Sequence, residues 1–104
     1  MNETRKIVTV LGSTKFRDEI KKFALLQTAL FHELILFAPF AKEEIPDLEK
    51  IREELEIQHF QKIRMADEIV VFNKNGYIGE STKLEIEYAK SINKPIRYYE
   101  GGGD

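Results

Sequence analysis

Two short stretches of small and hydroxylated residues carry the chemistry worth testing first. Leu11-Gly12-Ser13-Thr14-Lys15 and Tyr77-Ile78-Gly79-Glu80-Ser81-Thr82 each follow an apolar run and precede an amphipathic one. A helix opening from such a loop presents unbonded backbone N–H groups and the positive end of its dipole, which suits an anion such as a phosphate. Gly12, Ser13, Thr14, Lys15 and the adjoining Phe16 form the first candidate binding set, and Gly79, Ser81 and Thr82 the second. The plainer alternative is that Ser13, Ser81 and Thr82 only cap their helices. Neither stretch has the GxxxxGK[ST] spacing of a Walker loop, and no GxGxxG fingerprint occurs.

Among titratable residues, Glu85 follows Thr82 by three positions and Ser81 by four, so a helix places its carboxylate on the face of those hydroxyls. It is either a group looking into the same pocket, or a capping-box glutamate or solvated charge. Glu87 reads as exposed. His59 falls on the helix before the third strand, where a lone histidine is a surface residue, a packed residue or a base. Asp67, at the turn into that strand, reads as structural, its carboxylate satisfying backbone donors. Phe16, Phe37, Phe40 and Tyr77 flank the loops as candidates for stacking on a base or for core packing.

The elements that must position these groups follow from periodicity. Ile7 to Leu11, Leu34 to Phe37, Glu68 to Phe72 and Ile96 to Tyr99 are apolar runs of the kind expected for buried strands. Lys15 to Phe31 repeats Phe16, Ile20, Phe23, Ala24, Gln27 and Leu30 at helical spacing. Leu48 to Met65 does so through Leu55, Phe60 and Ile63, and a third helix, capped by Ser81 or Thr82, runs to about Ile92. Pro39 ends the second strand, Lys42 to Asp47 reads as an exposed loop, and the tail from Gly101 reads as disordered. Strand alternating with helix predicts an α/β fold: a Rossmann-like three-layer sandwich with a parallel sheet of four to five strands.

With 104 residues, one domain is expected, small enough that a second copy would complete part of a pocket, hence a homodimer. Sixteen basic and 18 acidic residues, net −2, lie without long blocks of either sign, which argues against nucleic-acid and membrane partners. The absence of cysteine removes disulfides and thiolate chemistry, and two histidines make a histidine-rich metal site unexpected. The five-residue apolar run near the start is too short for a signal peptide, so a cytoplasmic location is expected, with no metal and no cofactor.

Leu11-Gly12-Ser13-Thr14, Ala66-Asp67-Glu68-Ile69-Val70-Val71 and Gly79-Glu80-Ser81-Thr82-Lys83-Leu84-Glu85-Ile86-Glu87-Tyr88-Ala89 together resemble the nucleoside 2-deoxyribosyltransferase family, which includes the deoxynucleoside 5′-monophosphate N-glycosidases. The resemblance runs from Ile7 to Tyr98 with the motifs in the same order. It implies exchange or hydrolysis of the bond between deoxyribose and a base, with a glutamate nucleophile on the third helix. The family's E-x-G-x-A is similar to Glu85-Ile86-Glu87-Tyr88-Ala89, with Glu87 replacing the glycine, and the resemblance implies Glu85 as the nucleophile. His59 stands where the family has an aspartate and would substitute as acid/base. Thr9 stands in place of the N-glycosidases' tyrosine, and Gly79 in place of their phosphate-gripping serine, with Ser81 displaced by two. Two readings follow: an N-glycosidic hydrolase or deoxyribosyltransferase acting on a nucleoside or nucleotide, and a non-catalytic nucleotide-binding module that senses or sequesters its ligand.

Overall fold

The computed structural model describes residues 3–39 and 48–101. Phe40, the loop expected from Lys42 to Asp47 and the tail beyond Gly101 lie outside the described residues. The elements alternate as β1 (Ile7–Gly12), α1 (Arg17–Phe31), β2 (Leu34–Phe37), α2 (Leu48–Met65), β3 (Glu68–Phe72), α3 (Glu80–Ser91) and β4 (Ile96–Tyr98). The four strands form one parallel sheet in the order β2-β1-β3-β4. This is the α/β, Rossmann-like arrangement the alternation predicts, with helices packed on both faces of the sheet.

Alternation along the strands divides the core in two. Val8, Val10, Val70 and Phe72 point to one face and pack with Phe16 and Ile20 beside α1. Leu11, Ile69 and Val71 point to the other, against Ile63 of α2 and Ile86 and Ala89 of α3. Each such side chain removed from water contributes on the order of 1.5–3 kcal/mol, and having a helix layer on both faces is why these strands are apolar on consecutive residues. Thr9, fully buried on the α2 face, is the polar exception: its Oγ1 donates to the Lys62 carbonyl at 2.7 Å.

The end of the sheet where the strands begin is pinned by polar contacts. Asp67 Oδ2 accepts from the Ile7 N–H at 2.8 Å, and the Asp67 N–H donates to the Ile7 carbonyl at 2.7 Å, which fixes β3 against β1. Its structural reading therefore holds. Lys94 Nζ donates to the Arg64 and Ala66 carbonyls, both at 2.7 Å, satisfying the end of α2. Glu68, mostly buried, meets Lys6 at 2.9 Å and Arg97 at 3.3 Å.

Two details depart from the periodicity. Residues Thr14–Phe16 form a 3-10 turn before α1 begins at Arg17, because Ser13 bonds Lys15 through its Oγ and Phe16 through its carbonyl. Leu30, expected on the packed face of α1, is 67% exposed. A 15-residue helix outruns strands of four to six residues, so its last turn overhangs the sheet. Among the described residues no helix is long and apolar enough to cross a membrane.

Gly12 ends β1 where a Cβ would lie 2.9 Å from Ile20 Cδ1 and 3.1 Å from Phe72 Cβ. Gly12→Ala should destabilise the fold by about 1–3 kcal/mol, measured by chemical denaturation, because the Phe72 Cβ is fixed by the strand. Burial raises the Glu68 pKa, but hydrogen bonds from Lys6 and Arg97 and their charges more than offset this, so the net shift is downward. A lowered carboxylate stabilises above its unfolded pKa, and that stability is lost as pH falls through the folded value. Glu68→Gln should therefore be less stable than wild type at neutral pH and show a shallower loss on acidification, with the difference vanishing in strong acid.

Candidate functional site

In the strand order β2-β1-β3-β4 the chain leaves β1 toward one edge and returns across it to build β3, so the sheet switches direction between β1 and β3. Ligands of open α/β sheets bind outside the carboxyl ends of the strands at such a point. Both candidate loops leave the sheet there. A cleft of about 350 Å³ is lined by Gly12, Ser13, Thr14, Ala38, His59, Tyr77, Gly79, Glu80, Ser81, Thr82 and Glu85. A second cleft of about 290 Å³ shares Ala38, His59, Ser81 and Glu85 and continues to Pro39, Arg52, Leu55, Phe60 and Leu84. The two halves differ in character: the first is made of loops and hydroxyls, the second largely of side chains from α2 and α3.

The structure thus gathers Gly12, Ser13, Thr14, Gly79, Ser81, Thr82, His59 and Glu85 around one space. Lys15 and Phe16 stand differently. Phe16 is buried in the core, with its ring 5.6 Å from Phe72 and 5.9 Å from Tyr77, so it anchors the first loop and offers no face to a ligand. Lys15 lies at the rim with Nζ 3.9 Å from the Tyr77 ring centre, a cation–π contact joining the two loops.

The anion-binding capacity of the two loops is unequal. At the first, the Lys15 and Phe16 N–H groups are already taken by Ser13. At the second, Gly79 is the N-cap in extended conformation (φ −73°, ψ 166°) with no side-chain cap bond. Capping by Ser81 or Thr82 does not occur, since α3 begins at Glu80 and both lie inside its first turn; Ser81 is exposed and Thr82 buried. The N-terminus of α3 therefore keeps its dipole end toward the cleft. The two loops approach each other at Gly79, where a Cβ would make ordinary contacts, 3.7 Å from Tyr77 Oη and 3.9 Å from Ser13 Cβ.

Glu85 and His59 form the one close titratable pair lining the cleft among the described residues. His59 Nε2 lies 3.3 Å from Glu85 Oε1, with the two side chains 9% and 18% exposed. The helices that hold them are joined one turn on, where Phe60 and Tyr88 meet edge to face at 4.8 Å and Arg64 donates to Tyr88 Oη at 3.1 Å. His59 Nδ1 is buried and has no hydrogen-bond partner among the described residues. Glu87 is exposed, as expected from the sequence. Among the described residues no cluster of three or more histidine, aspartate or glutamate side chains is arranged to hold a metal ion.

Ala38, Tyr77 and Glu80 also line the cleft, as do Arg52, Leu55 and Phe60 in its second half. Of these, Ala38 had a usable signal: it follows β2, which must lie beside β1 with its carboxyl end on the same side. The α2 residues carried none, because their periodicity describes packing on the sheet equally well.

Sheet order and helix placement define the fold of a Rossmann-like domain with its cleft at the switch point. It is the fold of a solved structure, a 2-desoxiribosyltransferase from Leishmania mexicana, with a TM-score of 0.65 over 90% of this chain at 15% identity. The aligned region is 63% of that protein's length, so this chain spans less than two thirds of it. No family model and no curated protein matches the sequence.

Gly12 is crowded by the core and Gly79 is not, so the two glycines should respond unequally to an added methyl group. Gly79→Ala meets only ordinary contacts and should change the unfolding free energy by less than about 1 kcal/mol. A loss equal to that of Gly12→Ala would show that the second loop is packed as tightly as the first.

Proposed function

We propose that the chain cleaves or transfers at the N-glycosidic bond of a nucleoside or nucleotide, with Glu85 as nucleophile. The carrying observation is the Glu85 carboxylate, mostly buried, at the junction of a hydroxyl-lined cleft and a more apolar one. A nucleoside has that same division, with a hydroxylated sugar on one side and a flat base on the other. The bond to be broken joins the two, and Glu85 sits where the clefts meet. The N-terminus of α3 beside Gly79 would receive a 5′-phosphate where the substrate carries one.

In this reading a Glu85 oxygen bonds to the anomeric carbon as the carbon–nitrogen bond breaks and its electron pair leaves with the base. Water, or the nitrogen of a second base, then displaces Glu85 and restores the carboxylate. Hydrolysis and transfer differ only in that second acceptor. The fold shared with a deoxyribosyltransferase supports this class of reaction. The homodimer and the cytoplasmic setting expected from the sequence belong to the same proposal.

Glu85→Gln removes the negative charge while keeping size and helix propensity. Base release from a panel of deoxynucleosides and their 5′-monophosphates, followed by chromatography, should fall by several orders of magnitude with the thermal midpoint near wild type. Turnover that survives the substitution would exclude Glu85 as nucleophile. Binding of the panel by calorimetry without any base release would favour the sensing or sequestering module.

A further inference from the structure

His59 is nearly closed off from solvent, with the residue 7% exposed, and its two ring nitrogens have different surroundings. Nε2 faces the Glu85 carboxylate at 3.3 Å, and Nδ1 is sealed in the protein with no partner among the described residues. Resting on the reading of Glu85 as nucleophile, we infer that His59 is a positioning residue for that carboxylate and not the acid that protonates the departing base.

The argument is geometric. Displacement at the anomeric carbon brings the carboxylate in on one face while the base leaves from the other. In retaining glycosidases the nucleophile and the acid therefore stand about 5–5.5 Å apart across the sugar. An imidazole nitrogen 3.3 Å from Oε1 lies on the nucleophile's own side. The other nitrogen has no route to the substrate, because it is buried.

The same close approach distinguishes the two tautomers of a neutral ring. An ionised carboxylate only accepts, so the proton of the neutral ring belongs on Nε2. Nδ1 is then an unpaired acceptor, whereas the other tautomer would leave both an Nδ1–H with nothing to receive it and an Nε2 lone pair facing the carboxylate. His59 thus holds one Glu85 oxygen in place and leaves the other to attack. The ring is carried by α2 beside the Phe60–Tyr88 contact, so the helix seam sets the direction of the nucleophile. The base, leaving with the electron pair of the broken bond, takes its proton from water.

The test separates a positioning role from an acid role through the leaving group. Base release by wild type, His59→Leu and His59→Gln is compared on 2′-deoxyguanosine and on 7-methyl-2′-deoxyguanosine, whose cationic base departs without protonation. A positioning role predicts that His59→Leu lowers kcat by the same factor on both, and that His59→Gln, which restores an N–H donor, recovers most of the loss. A loss of about 10²- to 10⁴-fold on the neutral substrate, with the cationic one spared, is the signature of an acid and overturns the inference. Should His59→Leu fail to fold, as judged by its thermal midpoint, the Gln variant carries the same comparison. Nitrogen-15 NMR in a His32→Gln background, which leaves a single histidine, should show the Nε2–H tautomer in wild type. An Nδ1–H tautomer overturns the contact itself. Wild-type protein with no turnover on either substrate, or turnover that persists in Glu85→Gln, removes the nucleophile reading and this inference with it. A loss confined to the neutral substrate removes this inference alone.

Discussion

Parallel strands must be covered on both faces, and that demand organises this molecule. β1 pairs with β2 on one side and β3 on the other, and its side chains alternate between two separate apolar clusters. Because it belongs to both clusters, β1 cannot shift by one residue without exchanging Leu11 for Val10 across the sheet. The Asp67 carboxylate and amide grip Ile7 from both sides and set that register at the start of the strand. With the register set, Gly12 is delivered to the point where an added Cβ would crowd Phe72 at 3.1 Å. The position of the first loop is thus decided by contacts at the opposite end of the sheet.

The site depends on a second packing relation, the one between α2 and α3. His59 and Phe60 of α2 meet Glu85 and Tyr88 of α3, so one polar contact and one aromatic contact lie side by side. The aromatic pair contributes on the order of 0.5–1.5 kcal/mol beyond its buried area, which helps to hold an imidazole with a buried, unpartnered nitrogen. A buried polar atom left unsatisfied is a local expense of stability, and such expenses concentrate where a protein performs chemistry.

Much of the fold was legible because strand and helix periods differ and alternate cleanly here. The four apolar runs became the four strands, and Leu48–Met65 became a helix over the expected range. Glu85 was legible from its spacing to Ser81 and Thr82, and the sheet's switch point brings both loops to it. What the sequence concealed is tertiary. Phe16 looks like a loop aromatic, yet the 3-10 turn rotates its ring into the core beside Phe72. Ser81 and Thr82 look like caps, but α3 starts two residues earlier than a serine cap requires, at a glycine. His59 gives no sign of its partner, since a contact between helices leaves no period within either one.

The polar contacts that set the register of β3 against β1 lie at one pole of the sheet, with Asp67, Lys94 and the Glu68 cluster. The cleft occupies the other pole. This polarity has an evolutionary meaning. Residues such as Ser81, Glu80 and Tyr77 are free to diversify without undoing the contacts that set strand register, so a descendant could acquire a new ligand while inheriting an intact scaffold.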